Sequence, residues 1–390
     1  MKIIKNGTLM TMSSLYTIQA DILIDDGKIV QIDKKIEVEN AEIIDATGML
    51  VLPGLVDAHS HIGGFDVMTG GQDLNEMVNP VTAELDAYDA IDPDCYLFER
   101  AIQTGITTSG IVPGSANVIC GWGVVLKSKG ESLEKRCLKH PFALKAAVGG
   151  NPKGVYGKRN QNPMTRMGIT ETMREYFMQV KEYMQKKEEA LLDPSKKMPD
   201  FDLALEHGIP VLKKEIPLKI HVYQHDMITC IEIAKEFDFN ITIDHALGAG
   251  DFLDELEAEK DRIAIIYGPI GAMISQNELH LVDPDCLKKL DERGIRCAMM
   301  TDGPARQSWM ILAQCAEAVR FGMNPERALR MITINAAETL GCAERVGSIE
   351  VGKDADFAIF DGNPVVSTMA RLQMTIIDGN IVYQRKEKAF

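Results

Sequence analysis

The stretch LVDAHSH at residues 55–61 decides the fold, because a short apolar run is followed there by two closely spaced histidines. Residues i and i+2 of an extended segment point to the same side of a strand. We therefore expect His59 and His61 to leave the end of this strand on one face. Two imidazoles in that position suit a divalent ion, since Zn²⁺ takes three or four nitrogen or oxygen ligands.

The chain around this stretch alternates short apolar runs with longer segments of helical spacing, from about residue 53 to 346. Such alternation predicts a parallel sheet, and about eight units would close a (β/α)8 barrel. The long stretch 151–215 carries a helix of its own, so we interpret it as an insertion. The candidate strands lie at residues 55–58, 107–112, 142–148, 218–222, 241–243, 263–267 and 296–300.

The two ends of the chain differ from the middle, because short strand-like runs there are separated by polar turns. Asn-Gly and Asp-Gly pairs tolerate the positive φ of tight hairpins. Such pairs occur at residues 6–7, 26–27, 361–362 and 378–379. The predicted fold is therefore α/β, with a TIM-like barrel at 53–346 and a small β-sandwich built from residues 1–52 and 347–390.

Composition and charge restrict the classes of function. The 42 basic and 57 acidic residues give a net charge of −15, which argues against a nucleic-acid partner. The eight cysteines are scattered without a CxxC pair, and neither a signal peptide nor a membrane-spanning run is recognisable. We expect a cytoplasmic protein that acts on a small molecule and contacts no membrane, with a homo-oligomer as one possible assembly.

Further candidate ligands follow other predicted strands. His221, His245 and Asp302 each lie at the end of one of the apolar runs. The carboxyl ends of parallel barrel strands meet at one face. We therefore expect these three side chains to converge with His59 and His61 on one metal site.

Several motifs resemble the amidohydrolase superfamily, and within it the imidazolonepropionase-related and prolidase-annotated amidohydrolases. The opening motif is VLPGLVDAHSH at 51–61, and the closing motif is VGSIEVGKDADF at 346–357. The resemblance implies a metal-dependent hydrolase that cleaves a carbon–nitrogen bond, with a barrel and a β-sandwich from both termini. The remaining similar segments lie at residues 105–108, 113–117, 151–153, 165–168, 220–228 and 301–302.

The resemblance also implies roles for individual residues. The implied metal ligands are His59, His61, His221 and Asp302, which would hold one or two divalent ions, with zinc as the expected ion. Asp302 would also act as the general base, and His245 would polarise the substrate carbonyl. A metal lowers the pKa of its water to about 7, which makes this chemistry coherent. The candidate substrate-binding residues are Tyr156, Arg166, Gln224 and His225.

Three positions depart from the family pattern. Gly150 stands where a glutamate usually precedes the Asn-Pro-Lys run, Gln224 replaces an arginine, and Gly303 replaces a histidine. Gly150 and Gly303 keep one alternative open, a barrel that binds a small ligand with altered or lost catalysis. A second alternative is the deamination of a heterocyclic ring, which uses the same metal-activated water, but Gln224 stands where deaminases of this superfamily usually have an acidic residue. Lys145, inside a predicted strand, is a further candidate for a carboxylated metal-bridging lysine.

Overall fold

The computed structural model describes residues 1–64, 71–270, 283 and 285–386. Within these residues the strands are β1 (Lys2–Met10), β2 (Thr17–Asp25), β3 (Lys28–Asp33), β4 (Glu42–Asp45), β5 (Leu50–Pro53), β6 (Leu55–Ser60), β7 (Ile106–Ile111), β8 (Ile119–Lys127), β9 (Cys137–Ala147), β10 (Leu218–Val222), β11 (Ile241–His245), β12 (Ile263–Tyr267), β13 (Cys297–Met299), β14 (Phe357–Phe360), β15 (Leu372–Ile377) and β16 (Asn380–Gln384). The helices are α1 (Tyr96–Ile102), α2 (Leu133–Arg136), α3 (Gly150–Gly157), α4 (Arg166–Leu192), α5 (Leu203–Leu212), α6 (Asp226–Phe237), α7 (Leu253–Ala258), α8 (Cys286–Glu292), α9 (Met310–Arg320), α10 (Pro325–Arg330) and α11 (Ile334–Leu340).

The first sheet is built from both ends of the chain. Its strand order is β16-β15-β14-β5-β1-β2-β3, with β4 pairing beside β1. Two of the four predicted hairpin turns are confirmed, because Asp26-Gly27 and Asp378-Gly379 adopt positive φ between paired antiparallel strands. The prediction at Asp361-Gly362 is wrong, since neither residue has a positive φ and a longer loop joins β14 to β15. The prediction at Asn6-Gly7 is wrong, since this pair lies within β1 at a break in its register with β2.

The second sheet has the order β13-β12-β11-β10-β9-β8-β7-β6. All seven predicted strands occur in it and run parallel to one another. Most of their residues are buried, and every residue of β12, with the sequence IAIIY, is inside the protein. Continuous apolar runs of this kind are typical of strands that are covered on both faces.

One strand of this sheet, β8, is not among the seven strands that the sequence predicts. Strand β8 pairs antiparallel with both β7 and β9, so the predicted all-parallel repeat is wrong at this position. Its sequence contains Gly121 and Gly123, which weaken a strand pattern. Both glycines are required by close approach, because an added Cβ would lie 2.4 Å from the Leu85 carbonyl oxygen and 2.7 Å from Phe142, respectively.

The two edges of the second sheet come together, so that it is nearly closed. Ser60, at the end of β6, forms a parallel bridge with Gly303. The His61 amide donates to the Gly303 carbonyl at 2.7 Å, and the Asp302 amide donates to the His59 carbonyl at 3.1 Å. The segment after β6 and the segment after β13 therefore lie side by side. A mixed α/β fold with a barrel-like sheet and a second sheet is confirmed, whereas the division at residues 52/53 and 346/347 stays a prediction.

The predicted insertion at 151–215 contains most of α3, together with α4 and α5, and carries more helix than the sequence suggested. Helix α4 begins after Thr165, whose hydroxyl accepts from the Gly168 amide at 3.1 Å and so caps the helix. Buried residues of α4, such as Phe177 and Val180, join the core of the protein. Among the residues that the structure describes, no helix combines the length and the apolar character needed to cross a membrane.

Candidate metal centre

The two histidines of the opening motif occupy the carboxyl end of β6. His59 is fully buried and its Nδ1 donates to the Asp244 carboxylate. His61 is 13% exposed and its Nδ1 donates to the Val112 carbonyl at 2.7 Å. In both rings a hydrogen bond holds Nδ1, which leaves Nε2 as the ligand atom. The two rings lie 5.1 Å apart between their centroids.

Asp302 brings a carboxylate to the same point. Its Oδ1 lies 3.2 Å from His61 Nε2 and 3.6 Å from His59 Nε2. The ligand atoms of the three residues all lie within 4.8 Å of one another. Burial alone would raise the pKa of Asp302, but the neighbouring rings of His61, His245 and His59 hold this pKa well below its usual range. The carboxylate is therefore ionised, as a metal ligand must be.

Asp302 adopts an unusual backbone conformation, with φ of +54°. His245, at the end of β11, also has a positive φ, of +69°. Residues other than glycine rarely adopt this region, and such conformations cluster at functional sites. The positive φ of both residues therefore supports the turns after β11 and β13 as candidate functional positions.

His245 and His221 extend the group of imidazoles. The rings of His221 and His245 lie 4.0 Å apart, and the rings of His245 and His59 lie 5.4 Å apart. Burial lowers the pKa of His245 and lowers the pKa of His221 strongly, so both rings are neutral. His221 lies outside the group of three ligand atoms, and its Nε2 faces Asn151 Nδ2 at 3.3 Å.

Three buried imidazole nitrogens have no hydrogen-bond partner within the described part of the chain. They are Nε2 of His59, Nδ1 of His221 and Nε2 of His245. Buried polar atoms in folded proteins are nearly always paired, so each unpaired atom needs an explanation. A divalent ion explains them, because neutral imidazole nitrogens and a carboxylate oxygen are the donors that Zn²⁺ and related ions take. The residues present thus fit a metal centre.

A buried charged network supports His59 from behind. Asp244 accepts from Lys219 Nζ at 2.8 Å and from the Thr242 hydroxyl at 2.8 Å, and both Asp244 and Lys219 have no exposed side-chain surface. Lys219 also donates to the Ala58 carbonyl at 3.1 Å. Asp244 and Lys219 are not among the site residues that the sequence predicts. Their signal in the sequence is the alternation along the strands, which places Lys219 on the same face of β10 as His221.

A second pair holds Asp302 in place. The Asp57 carboxylate accepts from the Thr301 amide at 3.0 Å and from the Thr301 hydroxyl. Burial raises the pKa of Asp57 to about 6, although these hydrogen bonds oppose the shift. Because Asp57 lies on β6 and Thr301 follows β13, the pair fixes Asp302 next to the two histidines.

The candidate metal centre forms part of the wall of a cavity with a volume of about 470 Å³. His61, His221 and Asp302 all contribute to this wall. The described residues that line the cavity are His61, Gln72, Leu74, Asn75, Met77, Gly114, Ser115, Ala116, Asn151, Val155, His221, Asp302, Pro304 and Ala305. A ligand in this cavity would lie against the predicted metal ligands.

The four predicted substrate-binding residues lie elsewhere, because none of them lines this cavity. Tyr156 is buried and its hydroxyl donates to Asn117 Oδ1 at 2.6 Å. Arg166 pairs with Asp226 at 3.0 Å. His225 is exposed and precedes α6, and Gln224 forms the adjoining turn with φ of +53°. Substrate binding through these four residues stays a prediction that the geometry of the cavity does not support.

The positions that depart from the family pattern differ in their surroundings. A Cβ at Gly150 would meet no atom within 4 Å, so a side chain there has open space. A Cβ at Gly303 would lie 3.1 Å from the Thr301 hydroxyl and 3.2 Å from the Ser60 hydroxyl. A side chain at position 303 would therefore require the Thr301 and Ser60 hydroxyls to shift.

Lys145 on β9, the candidate for a carboxylated lysine, is fully buried. Its Nζ donates to the Ser115 hydroxyl at 2.8 Å and to the Ala146 carbonyl at 3.1 Å. Burial lowers its pKa. Lys145 thus lies directly behind a residue of the cavity wall, without lining the cavity itself.

The fold and the site together define a barrel-like sheet with a histidine–carboxylate centre at the carboxyl ends of its strands. The family model of the amidohydrolase family matches residues 169–382, which is more than half of the chain. The crystal structure of an amidohydrolase from Thermotoga maritima MSB8 is 39% identical, with a TM-score of 0.93, and the alignment covers 99% of this chain and 100% of that one. The chain belongs to the amidohydrolase family.

Two curated relatives add to this comparison. The chain is 26% identical to an imidazolonepropionase of Brevibacillus brevis, over 82% of this chain and 77% of the relative. It is also 26% identical to the amidohydrolase tasK of Hapsidospora irregularis, over 91% of this chain but only 39% of that longer protein. The resemblance found in the sequence is confirmed. A hydrolase that acts on carbon–nitrogen bonds is confirmed with it, at the level of the family.

Proposed function

We propose that the protein hydrolyses the carbon–nitrogen bond of an amide, either dipeptide-like or cyclic, by means of a water activated at the metal centre. The observation that carries this proposal is the group formed by His59, His61 and Asp302, whose ligand atoms lie within 4.8 Å of one another. Two of these residues also face the cavity. The imidazolonepropionase relative, named for an enzyme of a cyclic substrate, supports the cyclic alternative.

Zinc is the proposed ion, since the donor set of two imidazoles and one carboxylate is typical of catalytic zinc sites. Iron and manganese are alternatives, because imidazole binds several metals. We propose His221 as a further ligand, since its buried Nδ1 is unpaired among the described residues. One ion is proposed, and His221 with His245 would hold a second if there are two.

When bound, the ion would supply Lewis acidity to a water and to the substrate carbonyl. The bond that forms joins the water oxygen to the carbonyl carbon, and the bond that breaks is the carbon–nitrogen bond. Asp302 accepts the water proton and delivers it to the leaving nitrogen, which restores the carboxylate. Proton transfer of this kind typically contributes about 10²–10⁴-fold to the rate.

His245 is proposed to act on the carbonyl oxygen. Its ring centroid lies 5.4 Å from that of His59. Burial lowers its pKa, so the ring is neutral and keeps one N–H as a donor. The N–H group of a neutral imidazole stabilises the negative charge that develops on the carbonyl oxygen. A protonated imidazole would instead first lose its proton to Asp302.

The remaining proposals concern the setting of the site. We propose that the nearly closed sheet is a variant of the (β/α)8 barrel formed by residues 53–346, with residues 1–52 and 347–390 as one β-module. The proposed substrate is a small molecule, without nucleic-acid or membrane partners, and a homo-oligomer is compatible with this function. The cytoplasm is the proposed location, because seven of the eight cysteines are buried as free thiols.

The test replaces His59 with alanine and measures metal content and amide hydrolysis together. Wild-type protein is expected to bind metal and to hydrolyse at least one cyclic or dipeptide-like amide, whereas the variant loses both properties. His140→Ala is the matched control, because His140 pairs with Asp86 away from the cavity. If His59→Ala retains both metal and activity at wild-type levels, the assigned site is wrong.

A further inference from the structure

Ser115 lies in the wall of the cavity and contacts a buried lysine. The residue is half-buried and belongs to the lining of the cavity. Its hydroxyl lies 2.8 Å from Lys145 Nζ. A nucleophile and the base that activates it are recognised by a contact of about 2.6–3.2 Å, and serine–lysine pairs are a known variant of this arrangement. The two side chains therefore have the geometry of a nucleophilic dyad.

The backbone on both sides of Ser115 is held in place. The Gly114 amide donates to the Leu74 carbonyl at 2.8 Å, and the Ala116 amide donates to Asn75 Oδ1 at 3.3 Å. A Cβ at Gly114 would lie 2.4 Å from Asn75 Cγ, so the two segments are in close contact. The Ser115 hydroxyl is thus positioned before a ligand enters, which favours attack on a bound carbonyl carbon.

The surroundings of Lys145 favour an uncharged amine. Lys145 has no exposed surface and lies opposite Lys219, which is equally buried, in the register of β9 and β10. Lys219 contacts the Asp244 carboxylate at 2.8 Å. Within the described residues, Lys145 Nζ instead contacts two uncharged oxygens, the Ser115 hydroxyl and the Ala146 carbonyl, the latter at 3.1 Å. A buried ammonium that contacts no carboxylate is costly, and such a group loses its proton instead.

The protonation of Lys145 follows the same direction. Burial lowers its pKa, and the charges of Asp244 and Asp302 oppose this shift without reversing it. A neutral amine keeps a lone pair that can accept the Ser115 proton, while one of its N–H groups donates to the Ala146 carbonyl. Buried lysines with a lowered pKa serve as general bases for this reason.

We infer that Ser115 and Lys145 form a nucleophilic dyad, which gives the protein a second activity, the hydrolysis of small carboxylic esters through an acyl-serine. This activity is separate from the proposed hydrolysis of amides by a metal-activated water. The cavity of about 470 Å³ has room for a small ester. Esters are the expected class, because an alcohol leaves the carbonyl carbon more readily than an amine does.

The reaction has two steps. In the first step, Ser115 Oγ bonds to the carbonyl carbon while its proton passes to Lys145 Nζ. The bond from the carbonyl carbon to the alcohol oxygen then breaks, and Lys145 returns the proton to the leaving alcohol. In the second step, a water bonds to the acyl carbon and gives a proton to Lys145. The serine oxygen leaves and recovers this proton, so water is the only co-reactant and the products are an acid and an alcohol.

The test mixes the zinc-loaded, full-length protein with p-nitrophenyl acetate and follows the release of p-nitrophenolate by stopped-flow absorbance. A burst of about one p-nitrophenolate per protein is expected, since an acyl-enzyme that accumulates gives this signature. The mixture is then quenched in acid, and peptide mass spectrometry is expected to find one acetyl group on Ser115. A water activated at the metal centre leaves no acyl group on the protein, so this measurement separates the two activities.

The variant Ser115→Ala is expected to lose both the burst and the acetyl group. Ser195→Ala is the matched control and is expected to keep both, because Ser195 is exposed and its hydroxyl donates to Asp193 at 2.7 Å. Lys145→Met should slow the acylation of Ser115 by about 10²–10⁴-fold, the usual contribution of a general base. If Lys145→Met does not fold, Ser115→Ala still decides the question, since it removes only a hydroxyl from the cavity wall.

Three results would overturn the inference. The first is the absence of an acetyl group on Ser115, whether or not the ester is hydrolysed. The second is a burst that persists in Ser115→Ala. The third is a carboxyl group on Lys145 Nζ in a crystal structure of the zinc-loaded protein, because a carbamate nitrogen has no basic lone pair.

The two proposals can fail separately. If Ser115 is acetylated but the protein cleaves no amide, the proposed function fails and the inference about the dyad stands. If amides are cleaved but Ser115 is never acetylated, the proposed function stands and the inference fails.

Discussion

Replacing Asp244 with asparagine separates the two tasks of this buried carboxylate. Asp244 holds Nδ1 of His59 and accepts from Lys219 Nζ at 2.8 Å, and no side-chain surface of either charged residue is exposed. Removing one partner of a buried ion pair costs about 3–5 kcal/mol. A carboxylate that orients a metal-ligating imidazole typically contributes about 10–100-fold to metal affinity. Asp244→Asn is therefore expected to lower the free energy of unfolding by about 3–5 kcal/mol and the zinc affinity by about 10–100-fold.

The assay combines chemical denaturation of the metal-free protein with a competition titration for zinc. The double variant Asp244→Asn with Lys219→Met removes both buried charges, so it is expected to recover most of the stability. It is not expected to recover the zinc affinity, because His59 still lacks its carboxylate partner. The control is Asp354→Asn, since Asp354 is a buried carboxylate that pairs with buried Lys127 at 2.7 Å away from the cavity.

The control variant is expected to lose stability while it keeps its zinc affinity. The reasoning is refuted if Asp244→Asn binds zinc as tightly as the wild type. In that case the carboxylate would serve only to neutralise Lys219, and His59 would not depend on it.

Three further predictions follow from individual contacts. Gly303→Ala is expected to lower the free energy of unfolding by about 1–3 kcal/mol, because its Cβ would lie 3.1 Å from the Thr301 hydroxyl. Gly150→Ala is the control and should lose no stability, because its Cβ would meet no atom within 4 Å. Equal effects of the two variants in denaturant titrations would contradict this prediction. Burial raises the pKa of Asp356 from 3.8 to about 6, against the opposing charge of Lys127, so the stability that this group contributes is complete below pH 3.8 and is lost as the pH rises through 6. Asp356→Asn should remove that loss, and its stability relative to the wild type should increase by up to about 3 kcal/mol between pH 4 and 7; a difference that does not depend on pH would argue against it. His221→Asn should lower zinc affinity, but by less than His59→Ala does, because His221 is proposed as a further ligand that lies outside the group of three ligand atoms. Zinc affinity equal to that of the wild type in a competition titration would contradict its role as a ligand.

Much of the site could be predicted because its residues stand at the ends of apolar runs. His59, His61 and Asp302 each follow a buried strand, and parallel strands bring such positions to one edge whatever their separation in the chain. The spacing of strand residues also placed His221 and His245 beside this group. The pattern does not predict the distance of each imidazole ring from the candidate metal position, because that distance depends on the turn that follows each strand.

The features that were missed depend on contacts between distant segments. Strand β8 was not expected, because the close approach of Leu85 and Phe142 requires glycines that weaken the strand pattern. Lys219 and Asp244 were overlooked, since a charged residue in a buried strand becomes intelligible only when its partner is known. The predicted substrate role of Arg166 rested on its donor chemistry, whereas the structure pairs this side chain with Asp226.

The most direct test of the metal centre is an anomalous difference map, measured at the zinc absorption edge on crystals of the zinc-loaded protein. The account predicts a peak about 2.0–2.2 Å from Nε2 of His59, Nε2 of His61 and a carboxylate oxygen of Asp302. A zinc peak that contacts none of these three side chains, or stoichiometric zinc bound elsewhere in the chain, would contradict it.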